Sequence, residues 1–232
     1  MVYTEEQVRA NLRVKDGKRV FYLGAGDKLT PAAKSFLRQE HIEVLPAAGA
    51  KITEFETLFG AKLTEKPEHM THLRGNVLVM KDHPRIRFRG MIDTLEAELL
   101  LCIKEAEHNE ILSELTEILQ FVRELIPADV LGEAVKPWKL CGLTPEELRQ
   151  HSHFPQKYYG QPHFMPDGRE NRLLLQLNKV RTVVRQTELA AFDAFKTKDG
   201  AVEREDIILA LNRLSSLFWI LMIREKSKCK IM

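Results

Sequence analysis

The stretch from Leu173 to Arg224 reads as two long helices joined by a short charged turn, and no other feature limits the fold so strongly. With about 3.6 residues per turn, Leu173, Leu177, Val180 and Val184 fall on one apolar stripe, so the first helix must pack against neighbours. The second runs through Asn212-Arg213-Leu214-Ser215 into Leu217-Phe218-Trp219. Arg181, Arg185 and Glu188 lie at i, i+4 and i+7, beside the stripe rather than opposite it, with Leu174 among them. Charges at the edge of a core face are costly unless they are paired or face a ligand. Two readings therefore stand: an interhelical ion-pair network, or a binding site.

The rest of the chain sorts around those helices. Residues 1–60 read as a small α/β unit: a strand at Arg19-Val20-Phe21-Tyr22-Leu23, a turn at Gly24-Ala25-Gly26-Asp27, a helix opened by Thr30-Pro31, and a strand at His41-Ile42-Glu43-Val44-Leu45. The Gly-x-Gly lacks the third glycine of a dinucleotide fingerprint and reads as a plain turn. Residues 61–90 read as a loop-rich bridge with His69, His72 and His83, too few converging ligands for a metal. From Met91 the pattern is helical. Leu95, Leu99, Cys102 and Ile103 mark one helix with Asp93 in its first turn, and Ile111 to Ile126 mark another, stopped by Pro127. Thr144-Pro145-Glu146-Glu147 opens a short helix. Residues 151–170 read as a loop with three histidines and four aromatic side chains, and a loop of that length is more often functional than filler. Residues 91–225 thus form a helical bundle of about five helices, and 226–232 a basic tail, so the fold class is mainly α with an α/β appendage.

Composition removes several function classes. With 44% apolar and 29% charged residues the chain is that of an ordinary globular protein, and a net charge of +2 gives no electrostatic footprint for nucleic acid. No apolar run reaches membrane-spanning length, and the acidic start Met1-Val2-Tyr3-Thr4-Glu5-Glu6 has no apolar signal core, so a cytoplasmic location is expected. Cys102, Cys141 and Cys229 are too few and too far apart for a disulfide framework or an all-cysteine zinc site.

Four blocks in order carry a family resemblance. Leu177-Asn178-Lys179-Val180-Arg181-Thr182-Val183-Val184-Arg185-Gln186-Thr187-Glu188 resembles the Arg-x-x-x-Arg-Arg-x-Glu helix of ATP:corrinoid adenosyltransferases. Leu211-Asn212-Arg213-Leu214-Ser215-Ser216-Leu217-Phe218 is similar to their Asn-Arg-Leu-Ser-Asp-x-Leu-Phe helix. Lys81-Asp82-His83-Pro84 with Arg89-Gly90-Met91-Ile92-Asp93-Thr94-Leu95, and Phe164-Met165-Pro166-Asp167-Gly168, match their remaining two segments. The N-terminal unit, Lys66 to Leu73 and Ser152-His153-Phe154-Pro155 resemble the ethanolamine-utilisation branch. The resemblance implies transfer of the 5′-deoxyadenosyl group of ATP to cob(I)alamin, making adenosylcobalamin for ethanolamine ammonia-lyase. It also implies Mg-ATP and cobalamin as substrates, and a homo-oligomer, trimer or dimer. Ethanolamine ammonia-lyase or its reactivase is the implied protein partner, and association with a bacterial microcompartment the implied setting.

Site roles follow from the same resemblance. Lys81 and Arg185 contact phosphates, Glu188 and Asn212 place Mg-ATP or its ribose, Asp93 and Arg181 pair across a subunit interface, and Phe164 fills the lower face of the corrin. Where the propanediol-utilisation branch has a glycine- and threonine-rich phosphate loop, this chain has Met70 to Asn76, with Thr71 as the candidate contact. Gln186 replaces the second adjacent arginine and Ser216 the aspartate of the last helix. The metal-binding cysteine cluster of some ethanolamine-branch members is missing, so no protein-bound metal is expected. These departures sustain an alternative, a non-catalytic carrier or sensor of corrinoid or nucleotide.

Overall fold

The structure is a computed structural model describing residues 2–15, 18–24, 26–46, 55–106 and 110–228. The chain divides into two compact units, Met1–His83 with Asp129–Glu133, and Pro84–Ala128 with Ala134–Met232.

In the first unit, β1 (Val2–Tyr3) leads into α1 (Glu5–Ala10), whose start is closed by a reciprocal capping box between Thr4 and Gln7. Next come β2 (Arg13–Lys15), β3 (Lys18–Leu23), β4 (Lys28–Leu29), α2 (Pro31–Gln39) and β5 (Glu43–Pro46). The expected strand, helix and strand are all present. β3 pairs in parallel with β5 and antiparallel with β2, while β1 pairs in parallel with β4. Thr30 accepts from the Ala33 amide at 3.2 Å to start α2, and Pro31 supplies its fixed φ at the first helical position. Val8, Leu12, Phe21, Phe36, Leu37 and Ile42 bury one another in a small core.

Residues 61–90 are more ordered than the sequence suggests. β6 (Phe55–Thr57), β7 (Lys62–Leu63), β8 (Met70–Arg74) and β9 (Val77–Met80) form a sheet in the order β7-β6-β9-β8. The apolar run Val77-Leu78-Val79-Met80 is the strand signal that a count of histidines and prolines obscures, and it buries Leu78 and Val79. Gly75, at φ +50°, makes the turn between β8 and β9.

The second unit holds the long helices: α3 (Pro84–Glu105), α4 (Leu112–Leu131, whose last turn belongs to the first unit), α5 (Pro145–His153), α6 (Pro155–Tyr159), α7 (Arg172–Phe195) and α8 (Glu205–Lys228). Five expectations change here. α3 begins at Pro84, not near residue 91, because Pro84 suits a first helical position and Phe88 and Ile92 extend the buried stripe backwards. Asp93 is consequently mid-helix, and the helix-dipole argument for it falls. α4 runs through Pro127: Arg204, paired with Asp206 at 2.8 Å, donates to the Ala128 carbonyl at 3.1 Å, and Leu131 packs in the first unit's core. Residues 151–159 are helical, since the capping box of Thr144 and Glu147 launches α5 and Pro155 restarts α6, so the loop shrinks to 160–171. Residues 226–228 continue α8, with Lys226 held by Glu170 at 2.7 Å. Residues 229–232 of the expected tail, Cys229 included, lie outside the described residues.

Helix α7 packs against both α3 and α8, while α5 and α6 lie on α8. Its stripe of Leu173, Leu177, Val180 and Val184 is buried as the periodicity requires, against Leu95 and Leu99 of α3 and Leu211, Leu214 and Phe218 of α8. Each such side chain stabilises the fold by about 1.5–3 kcal/mol relative to exposure. α8 is long and apolar enough to cross a bilayer, but most of its apolar stretch is buried inside the bundle, where it acts as the core helix.

Candidate functional site

Packing α7 against α8 decides where the charged edge of α7 goes. Arg181, Arg185 and Glu188 line a cleft of about 530 Å³ together with Asn212 of α8. Asn212 donates through Nδ2 to Glu188 Oε1 at 2.8 Å and accepts through Oδ1 from Arg213 at 2.5 Å, so the amide is oriented from both ends. Glu188 is thereby a fixed, hydrogen-bonded carboxylate at the mouth of a basic cleft. Leu189, Phe192 and Ile208 make its other wall, giving the cleft a polar end and an apolar end. Leu189 and Phe192 are 68% and 45% exposed, so this wall is open surface.

The two arginines are not equivalent. Arg185 is exposed, whereas Arg181 is half-buried, its guanidinium bonded to Asn178 Oδ1 at 3.3 and 3.4 Å and lying 5.5 Å from the centre of the Trp219 ring. Burial, and then the neighbouring Arg185 charge, hold the Arg181 pKa below its ordinary value. Two like charges facing one cleft are what a polyanion would relieve. Asp93 is exposed on α3, and within the chain Arg181 is paired with Asn178.

Trp219 joins this cleft to the aromatic loop. The Phe164 ring lies nearly parallel to the indole, at 20° and 5.3 Å between centroids, and His163 accepts the indole N–H through Nδ1 at 3.2 Å. Lys226 stands 5.6 Å from the Phe164 ring centre. Met165 is 89% exposed at the loop's tip. Of the residues singled out in the sequence, Arg181, Arg185, Glu188, Asn212 and Phe164 thus share one unit and one face of the α7–α8 pair. Thr71 and Lys81 are in the first unit: Thr71 pairs with Val79 in the β8–β9 hairpin, and the Lys81 amide extends that ladder to the His69 carbonyl at 3.0 Å.

Trp219, Asn178 and His163 escape a reading by spacing. Trp219 sits in an apolar run and counts as core, although its ring nitrogen needs a partner at the surface. A second cleft of about 590 Å³, beside Trp138 and the start of α5, contains none of the singled-out residues. Burial raises the thiols of Cys102 and Cys141 to about 12, and the Tyr159 phenol likewise to about 12, so none of them is ionised near neutral pH.

Comparison with known proteins covers the stretch that holds these residues. The family model for cobalamin adenosyltransferase matches residues 62–225. The corrinoid adenosyltransferase EutT of Escherichia coli (strain K12) is 31% identical over 97% of this chain and 92% of its own length. The EutT of Salmonella typhimurium (strain LT2) is 30% identical with the same coverage. Among solved structures, a variant PduO-type ATP:corrinoid adenosyltransferase from Lactobacillus reuteri, complexed with cobalamin and ATP, superposes with a TM-score of 0.54 at 18% identity, covering 71% of this chain and 91% of that one. A second variant of that enzyme, complexed with ATP, gives 0.52 at 18% identity, covering 70% and 92%.

Proposed function

Because the chain belongs to the cobalamin adenosyltransferase family, we propose that it transfers the 5′-deoxyadenosyl group of ATP to cob(I)alamin, and that the α7–α8 cleft and the Phe164 loop are the two halves of its site. The reaction needs little from the protein as a nucleophile. The cobalt(I) electron pair forms the cobalt–carbon bond at C5′, the C5′–oxygen bond breaks, and triphosphate departs with the electron pair of that broken bond, leaving cobalt formally Co(III). What remains is to hold C5′ in line with cobalt and to neutralise the leaving group.

The observation that carries the reading is the paired arginine edge of α7, set in one cleft with the Asn212–Glu188 pair. Arg185 takes the triphosphate, because its guanidinium is exposed and free to form bidentate bonds to phosphate oxygens. Glu188 and Asn212 would help to place Mg-ATP or its ribose, the ion supplying charge neutralisation at the phosphates. Lys81 and Thr71 are proposed as phosphate contacts on the resemblance alone. Arg181 pairs with Asp93 of a second copy in a homo-oligomer, trimer or dimer. Phe164 fills the lower face of the corrin and displaces the lower cobalt ligand, which makes cob(II)alamin easier to reduce. The proposed destination of the product is ethanolamine ammonia-lyase, in the cytoplasm or a microcompartment, a reading that the similarity to EutT enzymes supports.

Gln186 lines the cleft where the family pattern has a second adjacent arginine, and that lost charge favours one other reading, a carrier or sensor that binds without turnover. One anaerobic assay separates the two. With reduced cobalamin and Mg-ATP, the enzyme converts the cob(I)alamin spectrum to that of adenosylcobalamin; ATP binding with an unchanging spectrum would leave the carrier or sensor.

A further inference from the structure

We infer that Trp219 is a positioning residue that braces Phe164 against the lower face of the corrin and is itself held in place by His163. The inference rests on the reading of Phe164 given above and deepens it. Residues 161–166 belong to no helix or strand, so side-chain contacts must set the direction of Phe164. Neighbouring side chains in an extended segment normally diverge. Here His163 and Phe164 both turn to the same indole, with ring planes inclined to it by only 14° and 20°.

The contacts divide the work. Phe164 meets the indole as a stacked ring 5.3 Å away, so α8, the most buried helix of the bundle, backs a residue on an otherwise irregular loop. His163 meets it through nitrogen: the two ring centres are 5.8 Å apart while Trp219 Nε1 and His163 Nδ1 are 3.2 Å apart. An indole N–H can only donate, so Nδ1 accepts and the ring proton resides on Nε2, which points at the His153 carbonyl 3.3 Å away. That chain of two hydrogen bonds ties the indole to the end of α5. Lys226 Nζ also stands 5.6 Å from the Phe164 ring, anchored by Glu170 at 2.7 and 2.8 Å. The guanidinium of Arg181 lies 5.5 Å from the indole centre, so Trp219 also neighbours a residue that lines the cleft assigned to ATP.

The test compares turnover begun from cob(II)alamin plus reductant with turnover begun from pre-reduced cob(I)alamin. Stacking of this kind is worth enough to change a conformational population about threefold to tenfold. Trp219→Leu should therefore lower the cob(II)-to-cob(I) rate ratio by about threefold to tenfold. Trp219→Phe, which keeps a ring but no N–H, and His163→Leu should give smaller and similar losses. The Trp219→Leu, Phe164→Ala double variant should match Phe164→Ala alone, because Trp219 acts through Phe164. Electron paramagnetic resonance of bound cob(II)alamin supplies a readout that mere loss of packing would not move, as the share without a lower nitrogen ligand should fall in step with the ratio. If Phe164→Ala lowers the ratio and Trp219→Leu does not, or if the two losses multiply in the double variant, the bracing role is wrong. An unchanged ratio in Phe164→Ala would instead remove the lower-face reading, and the bracing role with it.

Discussion

Arg185 and Glu188 are three residues apart on α7 but are held very differently. Glu188 is fixed by the Asn212 amide at 2.8 Å, whereas the exposed Arg185 is left to meet a ligand. Arg185→Ala should raise the apparent KM for ATP by about tenfold or more, the worth of one charge-assisted bidentate contact, which steady-state kinetics at saturating corrinoid would measure. Asn212→Ala should act on the same parameter by releasing Glu188, so the two losses should combine less than multiplicatively. The cysteines give a contrasting expectation. With thiols raised to about 12 by burial, Cys102 and Cys141 should stay unmodified by iodoacetamide at pH 8, about four units below that value, where only about one thiol in ten thousand is ionised. Mass spectrometry of the native protein checks this, and prompt alkylation of either residue would contradict the burial argument. The arginine pair was legible from the spacing of Arg181, Arg185 and Glu188 alone. That Arg181 would bond Asn178 and approach Trp219 was not, because periodicity places a side chain on a face without saying which rotamer it adopts.

Helices α7 and α8 show both the reach and the limits of periodicity. The stripe of Leu173, Leu177, Val180 and Val184 is continuous and capped by Asn171, so the buried face follows from sequence with nothing else required. Ends are harder. Pro127 has the chemistry of a stop signal, yet α4 continues past it because Arg204 satisfies a carbonyl in the last turn and Leu131 has an apolar cluster to enter. Both supports come from residues distant in sequence, which a local signal cannot report. The same holds for α3, whose first turns are crowded with arginines that resemble a loop until Phe88 is seen at full burial. Two substitutions probe the elements themselves. Leu214→Ala, in the buried face of α8, should destabilise the bundle by about 2–5 kcal/mol in denaturant unfolding. Gly200, at φ +89° in the turn from α7 to α8, should cost about 1 kcal/mol when replaced by alanine, and a neutral result would mean the turn readily adopts another conformation.

At the scale of the whole molecule, the chain folds as two compact units, and the cleft, the Asn212–Glu188 pair and the Phe164 loop all lie in the helical one. The bundle and its chemistry were readable because family motifs coincide with helix faces. The four-stranded sheet of residues 55–80 was not, since its strands are short and set among histidines, prolines and charges. Adenosyl transfer sends the parts of ATP to different products. ATP labelled in the adenosine moiety and, separately, in the γ-phosphate should be mixed anaerobically with the protein and cob(I)alamin, and the corrinoid then isolated. The adenosine label should appear in the corrinoid and the phosphate label should not; adenosine label that remained wholly in nucleotide would contradict adenosyl transfer outright.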